Sequence, residues 1–193
     1  MSQPQPSLTE ETRSALAGSW RLVAGRRDAP GYFFTDLRGL TSSFIALLVS
    51  VAVTFLISAL IVPAGAGVST FAALVQNALL YAGIMGSSWV VLRLTGLTDK
   101  FIAFVTVENW INAIVSAILA VVALMTFSAE LILILAVVIG FLARINNARL
   151  VVGMKAGQIV MLIVVQTIGM MIALLAVGVL YGPAAAPEMG FSG

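Results

Sequence analysis

Five long runs of apolar residues follow one another along the chain, separated by short polar segments or by glycine and proline. They lie near residues 41–62, 70–92, 101–125, 129–148 and 154–181. Each run reaches the roughly 20 residues that an α-helix needs to cross the hydrocarbon core of a bilayer. The pattern predicts an all-α fold, a polytopic membrane bundle of about five transmembrane helices. The sequence leaves the exact break between the fourth and fifth helices open.

The first 40 residues have a different pattern and predict an N-terminal interfacial amphipathic helix. Ser7 and Glu10 have the spacing of a capping box, after which Leu16, Trp20 and Val23 recur at helical spacing. The arginines on or beside the polar side are Arg13, Arg21, Arg26 and Arg27. Such a helix can lie in the headgroup layer, so we expect the tryptophan and the last three arginines to contact anionic lipid or an acidic partner. A solvated helix packed on the protein's own loops is the alternative.

The basic residues predict the orientation of the bundle. With the N-terminus in the cytoplasm and five crossings, all ten Lys and Arg residues fall on the cytoplasmic side. An excess of Lys and Arg in cytoplasmic loops is the usual orientation signal of multi-pass proteins. We therefore expect a cytoplasmic segment over residues 1–40 and a five-helix transmembrane domain over 41–182. A short tail over 183–193 should lie on the opposite side of the membrane.

Composition agrees with a membrane protein, because 61% of the 193 residues are apolar and 9% are charged. Too few charged residues remain to cover a water-soluble fold of this size. Orientation signals account for the net charge of +2, so we expect no nucleic-acid partner. Arginine is more frequent than lysine beside plentiful Ala, Val and Gly, which favours a GC-rich bacterial source and hence the bacterial inner membrane.

Two absences from the sequence limit its chemistry. The chain has no cysteine, which excludes disulfides, thiolate catalysis and iron–sulfur ligation. It has no histidine, the usual ligand for haem, zinc and copper and the usual proton shuttle at neutral pH. Most of the eight acidic residues lie outside the apolar runs, so nothing favours an oxygen-ligand metal site. We expect neither a cofactor nor a metal, and no enzymatic activity.

A polar cluster interrupts the third apolar run. Glu108 and Asn112 share a helix face, with Asn109 beside them, about two turns into the run. A carboxylate at that depth should face the bundle and find a partner, and Arg144 and Arg149 enter from the same side. Glu108 is either an ion or proton site or one half of a structural ion pair. We favour the structural pair, because no histidine and no second deep acid accompany it.

Two further features concern how the helices pack. Gln166 is the deepest of the amide side chains in the other runs, and we interpret it as an interhelical hydrogen-bonding group. Small residues at four-residue spacing let helices approach closely, within one chain or between chains. These pairs are Gly153 and Gly157, Ala82 and Gly86, Gly83 and Ser87, and Gly169 and Ala173.

The segment Tyr32–Leu40, just before the first apolar run, reads YFFTDLRGL. It resembles the Asp-Leu-x-Gly-Pro element of the Yip-domain family of Rab-interacting membrane proteins, with Leu40 in place of the proline. The plan of five spans after a cytoplasmic amphipathic segment is similar to that family too, whereas the Tyr-Gly motif of its spans is not recognisable here. The resemblance implies a membrane-organising or partner-binding role without catalysis.

Two functional hypotheses follow. The first is a non-catalytic accessory or scaffold protein that binds a larger membrane complex, or copies of itself, through its small-residue faces. The second is a small oligomeric transporter or channel with a path along Glu108, Asn109, Asn112 and Gln166. Continuous spans, the absence of an internal repeat and the shortage of reactive side chains favour the first hypothesis.

Overall fold

The computed structural model describes residues 7–61, 70–124 and 129–181, and this part of the chain is helical with no strand. Its long helices are α1 (Leu8–Val23), α2 (Leu37–Ile61), α3 (Thr70–Leu94), α4 (Phe101–Leu124), α5 (Ala129–Asn146) and α6 (Ala156–Tyr181). Its short helical turns are the 3₁₀ turns Ala29–Tyr32 and Thr98–Lys100 and the π-helical turn Asn147–Val151. The predicted tail 183–193 lies outside the described residues.

Four of the described helices, α2, α3, α4 and α6, are long and apolar enough to cross a membrane. The all-α fold and the multi-pass character of the prediction therefore hold, but the count of five spans is not confirmed. The predicted fourth span forms α5, whose 18 residues extend about 27 Å at 1.5 Å per residue. That length lies at the lower end of the range of about 17–25 residues that cross a bilayer. Residues 125–128, which precede α5, lie outside the described part.

Helix α1 begins at the predicted capping box, which is confirmed. The backbone N–H of Ser7 donates to Glu10 Oε2 at 2.7 Å, and the N–H of Glu10 donates to Ser7 Oγ at 3.3 Å. These bonds satisfy donors that a helix leaves unpaired in its first turn. The helix ends at Val23, and Gly25, which follows it with a φ of 68°, donates its N–H to the carbonyl of Leu22.

The residues that carry the Yip-domain resemblance form the start of α2. Asp36 directly precedes the helix, and its Oδ1 accepts a hydrogen bond of 2.8 Å from the N–H of Gly39, as an N-cap side chain does. Gly39 lies against the carbonyl group of Phe34, where a Cβ atom would clash with main-chain atoms. The Asp-Leu-x-Gly spacing therefore has a local structural role: it caps α2 while the preceding chain crosses close over its first turn.

Two hydrophobic clusters form the core, and both lie at one end of the bundle. The first connects α3, α4, the π-helical turn and α6, and its most buried members are Val91, Leu92, Phe104, Ala148 and Leu162. The second connects α1 and the first 3₁₀ turn to α4 and α5, and its most buried members are Ala15, Leu22, Ala29, Val107 and Ala143. The described connections 24–36, 95–100 and 147–155 lie at this end, which we call the packed end.

The helices associate unevenly along their length. The most extensive contacts join α2 to α4 and α3 to α6, followed by α4 to α5. Helix α4 is the central element: 44% of its most apolar window is buried, against 17% for α2 and α3 and 22% for α6. Its continuously buried stretch, residues 104–111, lies at the packed end. This stretch contains the polar cluster that the sequence singles out.

Candidate functional site

Glu108 is held in a nearly complete shell of protein atoms. Its side chain is 1% exposed. Its Oε1 accepts a 2.7 Å hydrogen bond from Nε of Arg144, and its Oε2 accepts a 3.2 Å hydrogen bond from Nδ2 of Asn147. A carboxylate buried this deeply needs both an opposite charge and hydrogen-bond donors. The structure therefore pairs Glu108 with Arg144, one of its two predicted partners.

The other predicted members of this cluster lie apart from the carboxylate. Arg149 is exposed on the π-helical turn. Asn112 is half-buried one turn further along α4, and its side chain makes no hydrogen bond within the described part of the chain. The two arginines were equivalent candidates by sequence, because both lie near the same end of the fourth apolar run. The π-helical turn separates them, since it turns the chain away after Asn146.

Two consecutive asparagines join three elements at the packed end. The Nδ2 atom of Asn147 donates to the backbone carbonyl of Phe104 as well as to Glu108. The Nδ2 atom of Asn146 donates to the carbonyl of Leu22 at 2.9 Å and so helps to cap α1. These contacts fasten the end of α5 to both α4 and α1. The sequence shows this Asn-Asn pair only as a polar junction, because its partners are more than 35 residues away.

Asn109 joins α4 to two other helices. Its Oδ1 accepts a 2.7 Å hydrogen bond from the hydroxyl of Tyr81 on α3, and its Nδ2 donates to Oγ of Ser43 on α2 at 3.2 Å. The hydroxyl of Ser43 in turn donates to the carbonyl of Leu40. Sequence reasoning singled out neither Tyr81 nor Ser43, since a lone hydroxyl in an apolar helix gives no pairing signal.

Gln166 links α6 to α3. Its Nε2 donates a 2.8 Å hydrogen bond to Oγ of Ser88, whose hydroxyl donates to the carbonyl of Ile84 one turn earlier in α3. Both side chains are buried. This is the interhelical hydrogen bond predicted for the deepest amide, and its partner is a serine that the sequence does not single out.

The small residues divide into two groups. Gly83 and Ser87 of α3 meet Gly169 and Ala173 of α6 directly: a Cβ atom on Gly83 would lie 2.7 Å from the carbonyl oxygen of Gly169. Gly86, one residue away from this contact, has nothing within 4 Å of where its Cβ would lie. Gly83 therefore packs inside the bundle, whereas the neighbouring glycine is on its outside.

The two remaining predicted packing glycines lie outside helix–helix contacts of the described chain. Gly153 lies in the connection between the π-helical turn and α6 and not on a helix, and its φ is 81°. Gly157 is in the first turn of α6, with open space at its Cβ position. The four-residue spacing between them therefore spans a turn and a helix start and does not form one face.

The N-terminal side chains chosen as lipid contacts have different surroundings. Trp20 is 70% exposed, and Arg26 and Arg27 are exposed too. Arg21 is partly engaged within the protein, because it forms a 2.6 Å ion pair with Asp28 and its guanidinium lies 4.7 Å from the ring centroid of Tyr32. The opposite face of α1 packs on the bundle.

A cleft of about 170 Å³ opens between α3, α5 and α6. Its lining residues are Ile84, Phe141, Arg144, Ile163, Gln166, Thr167 and Met170. The cleft brings Gln166 and the arginine partner of Glu108 to one surface, whereas Asn109 and Asn112 do not line it. Of the predicted polar residues, Glu108 and Asn109 join helices, Gln166 both joins helices and lines this cleft, and Asn112 does neither.

Three of the predicted polar residues, Glu108, Asn109 and Gln166, bind other helices of the same chain. Among residues 7–61, 70–124 and 129–181, no group of three or more Asp or Glu side chains is placed to hold a metal ion. The chain matches no protein-family model, and no curated protein and no solved structure matches it as a relative. The resemblance to the Yip-domain family stays a prediction from the sequence.

Proposed function

We propose that this chain is a non-catalytic integral membrane protein, an accessory or scaffold subunit of the bacterial inner membrane. It would bind a second transmembrane helix, from its own copy or from a larger membrane complex, on the outer face of α3. This is the class of role that the resemblance to the Yip-domain family implies. The observation that carries the proposal is the division of the small residues of α3 into an occupied face and an open one.

The open face follows from the arrangement of α3 against α6. Gly83 and Ser87 contact Gly169 of α6. On the other side of α3, Ala82 and Gly86, four residues apart, are both exposed. Ala78 extends the same exposed row by one more turn. A row of small residues lets a second helix approach closely enough for van der Waals contact along the backbone, which is how transmembrane helices commonly associate.

The polar side chains support a structural role. Three of these side chains form hydrogen bonds with another helix or turn of the same chain: Glu108, Asn109 and Gln166. Such contacts specify how helices pack, and each typically contributes around 1 kcal/mol or less. A transport path or an active site would need these groups to be available to a substrate.

We also propose five crossings, with the N-terminus in the cytoplasm and the C-terminus on the opposite side. The turn that follows α5 contacts the beginning of α4 through Asn147 and Phe104, so the two helices run antiparallel and α5 returns the chain to the packed end. The basic residues of α1, of the 95–100 connection and of the 147–155 connection gather at that end. Exposed Trp20, Arg26 and Arg27 would face the headgroup layer there.

The experiment is a comparison of three chains by size in a mild detergent, using light scattering coupled to chromatography and native gels of solubilised membranes. Gly86→Leu should reduce the size of the assembly, because a leucine side chain separates the two helices. Gly178→Leu on α6 is the matched control, since this glycine is exposed and also has open space at its Cβ position. An unchanged assembly in Gly86→Leu, or an equal loss in both variants, contradicts the proposal.

A small transporter is the second candidate, and the cleft between α3, α5 and α6 is the observation that favours it. The cleft brings Gln166 within reach of the Arg144 side chain, whose partner is Glu108. If this were a path for ions, Glu108→Gln should abolish flux into liposomes while the protein remains folded. Retained flux in that variant, or absence of flux in the unaltered chain, removes this candidate.

A further inference from the structure

The cleft has a polar end and an apolar end. Arg144 lies in the last turn of α5, close to the packed end, and Phe141 lies one turn further from that end. On α6 the lining runs from Ile163 to Met170, a distance of about 10 Å at 1.5 Å per residue. A guanidinium group thus lies at one end of a short, mainly apolar channel between helices, whose lining also includes Gln166 and Thr167.

Most of the donors of this guanidinium are unused. An arginine carries five N–H donors, and Arg144 uses Nε for Glu108. Its terminal nitrogens make no hydrogen bond within the described residues, and its side chain is 33% exposed. Unpaired donors beside apolar side chains are costly in a membrane, so a group from outside the protein should accept their hydrogen bonds.

The position of α1 indicates the depth of this guanidinium in the membrane. The helix carries Arg13 and Arg21, and it packs on Val107 of α4 and on Ala143, the neighbour of Arg144 in α5. A helix with several charged residues cannot lie in hydrocarbon, which places this level of the bundle at the headgroup boundary. The channel below Arg144 then extends from the boundary toward the interior of the bilayer.

We propose that the cleft binds one anionic phospholipid. The phosphate accepts hydrogen bonds from the terminal nitrogens of Arg144, and part of one acyl chain lies against Phe141, Ile163 and Met170. Glu108 holds the guanidinium from the buried side. Basic pockets between transmembrane helices are known to bind anionic headgroups in this manner, and guanidinium–phosphate pairs are strong charge-assisted contacts. The site does not depend on the outer face of α3 or on the proposed function.

The test measures lipid binding to the full-length, detergent-solubilised chain by native mass spectrometry. The probes are dioctanoyl phosphatidylglycerol and dioctanoyl phosphatidylcholine, which differ in charge. Because Arg144→Ala would leave Glu108 unpaired and endanger folding, the first variant is Thr167→Trp, which fills the cleft and keeps the ion pair. Ile168→Trp is its matched control, since Ile168 is the next residue, is exposed and does not line the cleft.

The unaltered chain and Ile168→Trp should each retain one phosphatidylglycerol in preference to phosphatidylcholine. Thr167→Trp should bind phosphatidylglycerol about tenfold more weakly, as expected when a charge-assisted contact is lost. A variant that carries both Glu108→Gln and Arg144→Gln keeps an amide pair and should lose the preference for the anionic lipid.

Three results overturn the proposal. The first is equal retention of the two lipids by the unaltered chain. The second is an equal effect of Thr167→Trp and Ile168→Trp on phosphatidylglycerol binding. The third is displacement of phosphatidylglycerol by inorganic phosphate or by octanoate at equal concentration, because the site would then recognise a free anion or a fatty acid and not a phospholipid.

Discussion

At the scale of the residue, the carboxylate of Glu108 is buried and therefore needs charged and hydrogen-bonding partners. It is stable only because a guanidinium and an amide reach it from α5 and the turn that follows. Removal of one partner leaves a buried charge without compensation, whereas removal of both can leave stability almost unchanged. Breaking the ion pair by removing one partner should therefore lower the stability of the protein by more than the intact pair adds to it.

We expect Arg144→Met to lower the stability of the detergent-solubilised protein by about 3 kcal/mol, because the carboxylate of Glu108 is left unpaired. Arg149→Met is the control: this arginine is exposed, and its replacement should change stability by less than about 0.5 kcal/mol. A chain with both Glu108→Leu and Arg144→Met should recover most of the loss. Equal melting temperatures for the two single variants would contradict the structural role of the pair.

Another residue-scale prediction concerns Glu10, whose pKa is lowered by hydrogen bonds from the backbone N–H and hydroxyl of Ser7. A lowered pKa means that the capping box stabilises α1 above the ordinary pKa of a glutamate, about 4.3, and that this support is lost as the pH falls below it. Amide protection in the first turn of α1 should therefore decrease on acidification. In Glu10→Gln that decrease should be absent; persistence of the same pH dependence would refute the assignment to Glu10.

At the scale of the element, neighbouring glycines of α3 have opposite environments. Gly83 faces the backbone of Gly169, and Gly86, almost one turn on, faces away from the bundle. The contact between α3 and α6 is therefore set by backbone proximity together with the Gln166–Ser88 hydrogen bond. A helix pair of this kind tolerates no added atom on its inner face and many on its outer face.

Gly83→Ala should destabilise the protein by about 1–3 kcal/mol, because the added methyl group would lie 2.7 Å from the carbonyl oxygen of Gly169 and the helices must separate. Gly86→Ala should be neutral or slightly stabilising, since alanine is the better helix former and its methyl group meets nothing within 4 Å. Melting temperatures of the two solubilised variants, measured side by side, check the difference. If Gly86→Ala destabilises the monomeric, solubilised chain as much as Gly83→Ala does, the outward position of Gly86 on α3 is contradicted.

At the scale of the whole molecule, the long helices are predictable and their pairing is not. The apolar runs near 41–62, 70–92, 101–125 and 154–181 correspond to α2, α3, α4 and α6, because crossing a bilayer imposes length and apolarity on each helix by itself. Spacing in the sequence cannot tell a packing glycine from a turn glycine such as Gly153, whose positive φ appears only in three dimensions.

The polar contacts, too, could be predicted from the sequence only in part. That Glu108 needs a basic partner follows from its burial alone, so the ion pair was within reach of sequence reasoning. The bond that Tyr81 donates to Asn109 and the bond that Ser43 accepts from Asn109 were not predictable, because a hydroxyl in an apolar helix can also bond only to its own backbone, as Thr54 does toward Ser50. Whether a hydroxyl also bonds to a second helix depends on which side chain that helix places beside it, as for Ser43 and Ser88.

The central claim is that the outer face of α3 binds another transmembrane helix, and site-specific photo-crosslinking in native membranes tests it most directly. The chain contains no cysteine, so Ala82→Cys confines the benzophenone label to one position of this chain, and Gly178→Cys on α6 serves as the control for background. The account predicts one major crosslinked product for Ala82→Cys, of constant stoichiometry, that is lost when Gly86→Leu is added. Crosslinking from Ala82→Cys that does not exceed the control, or that persists with Gly86→Leu, would contradict it.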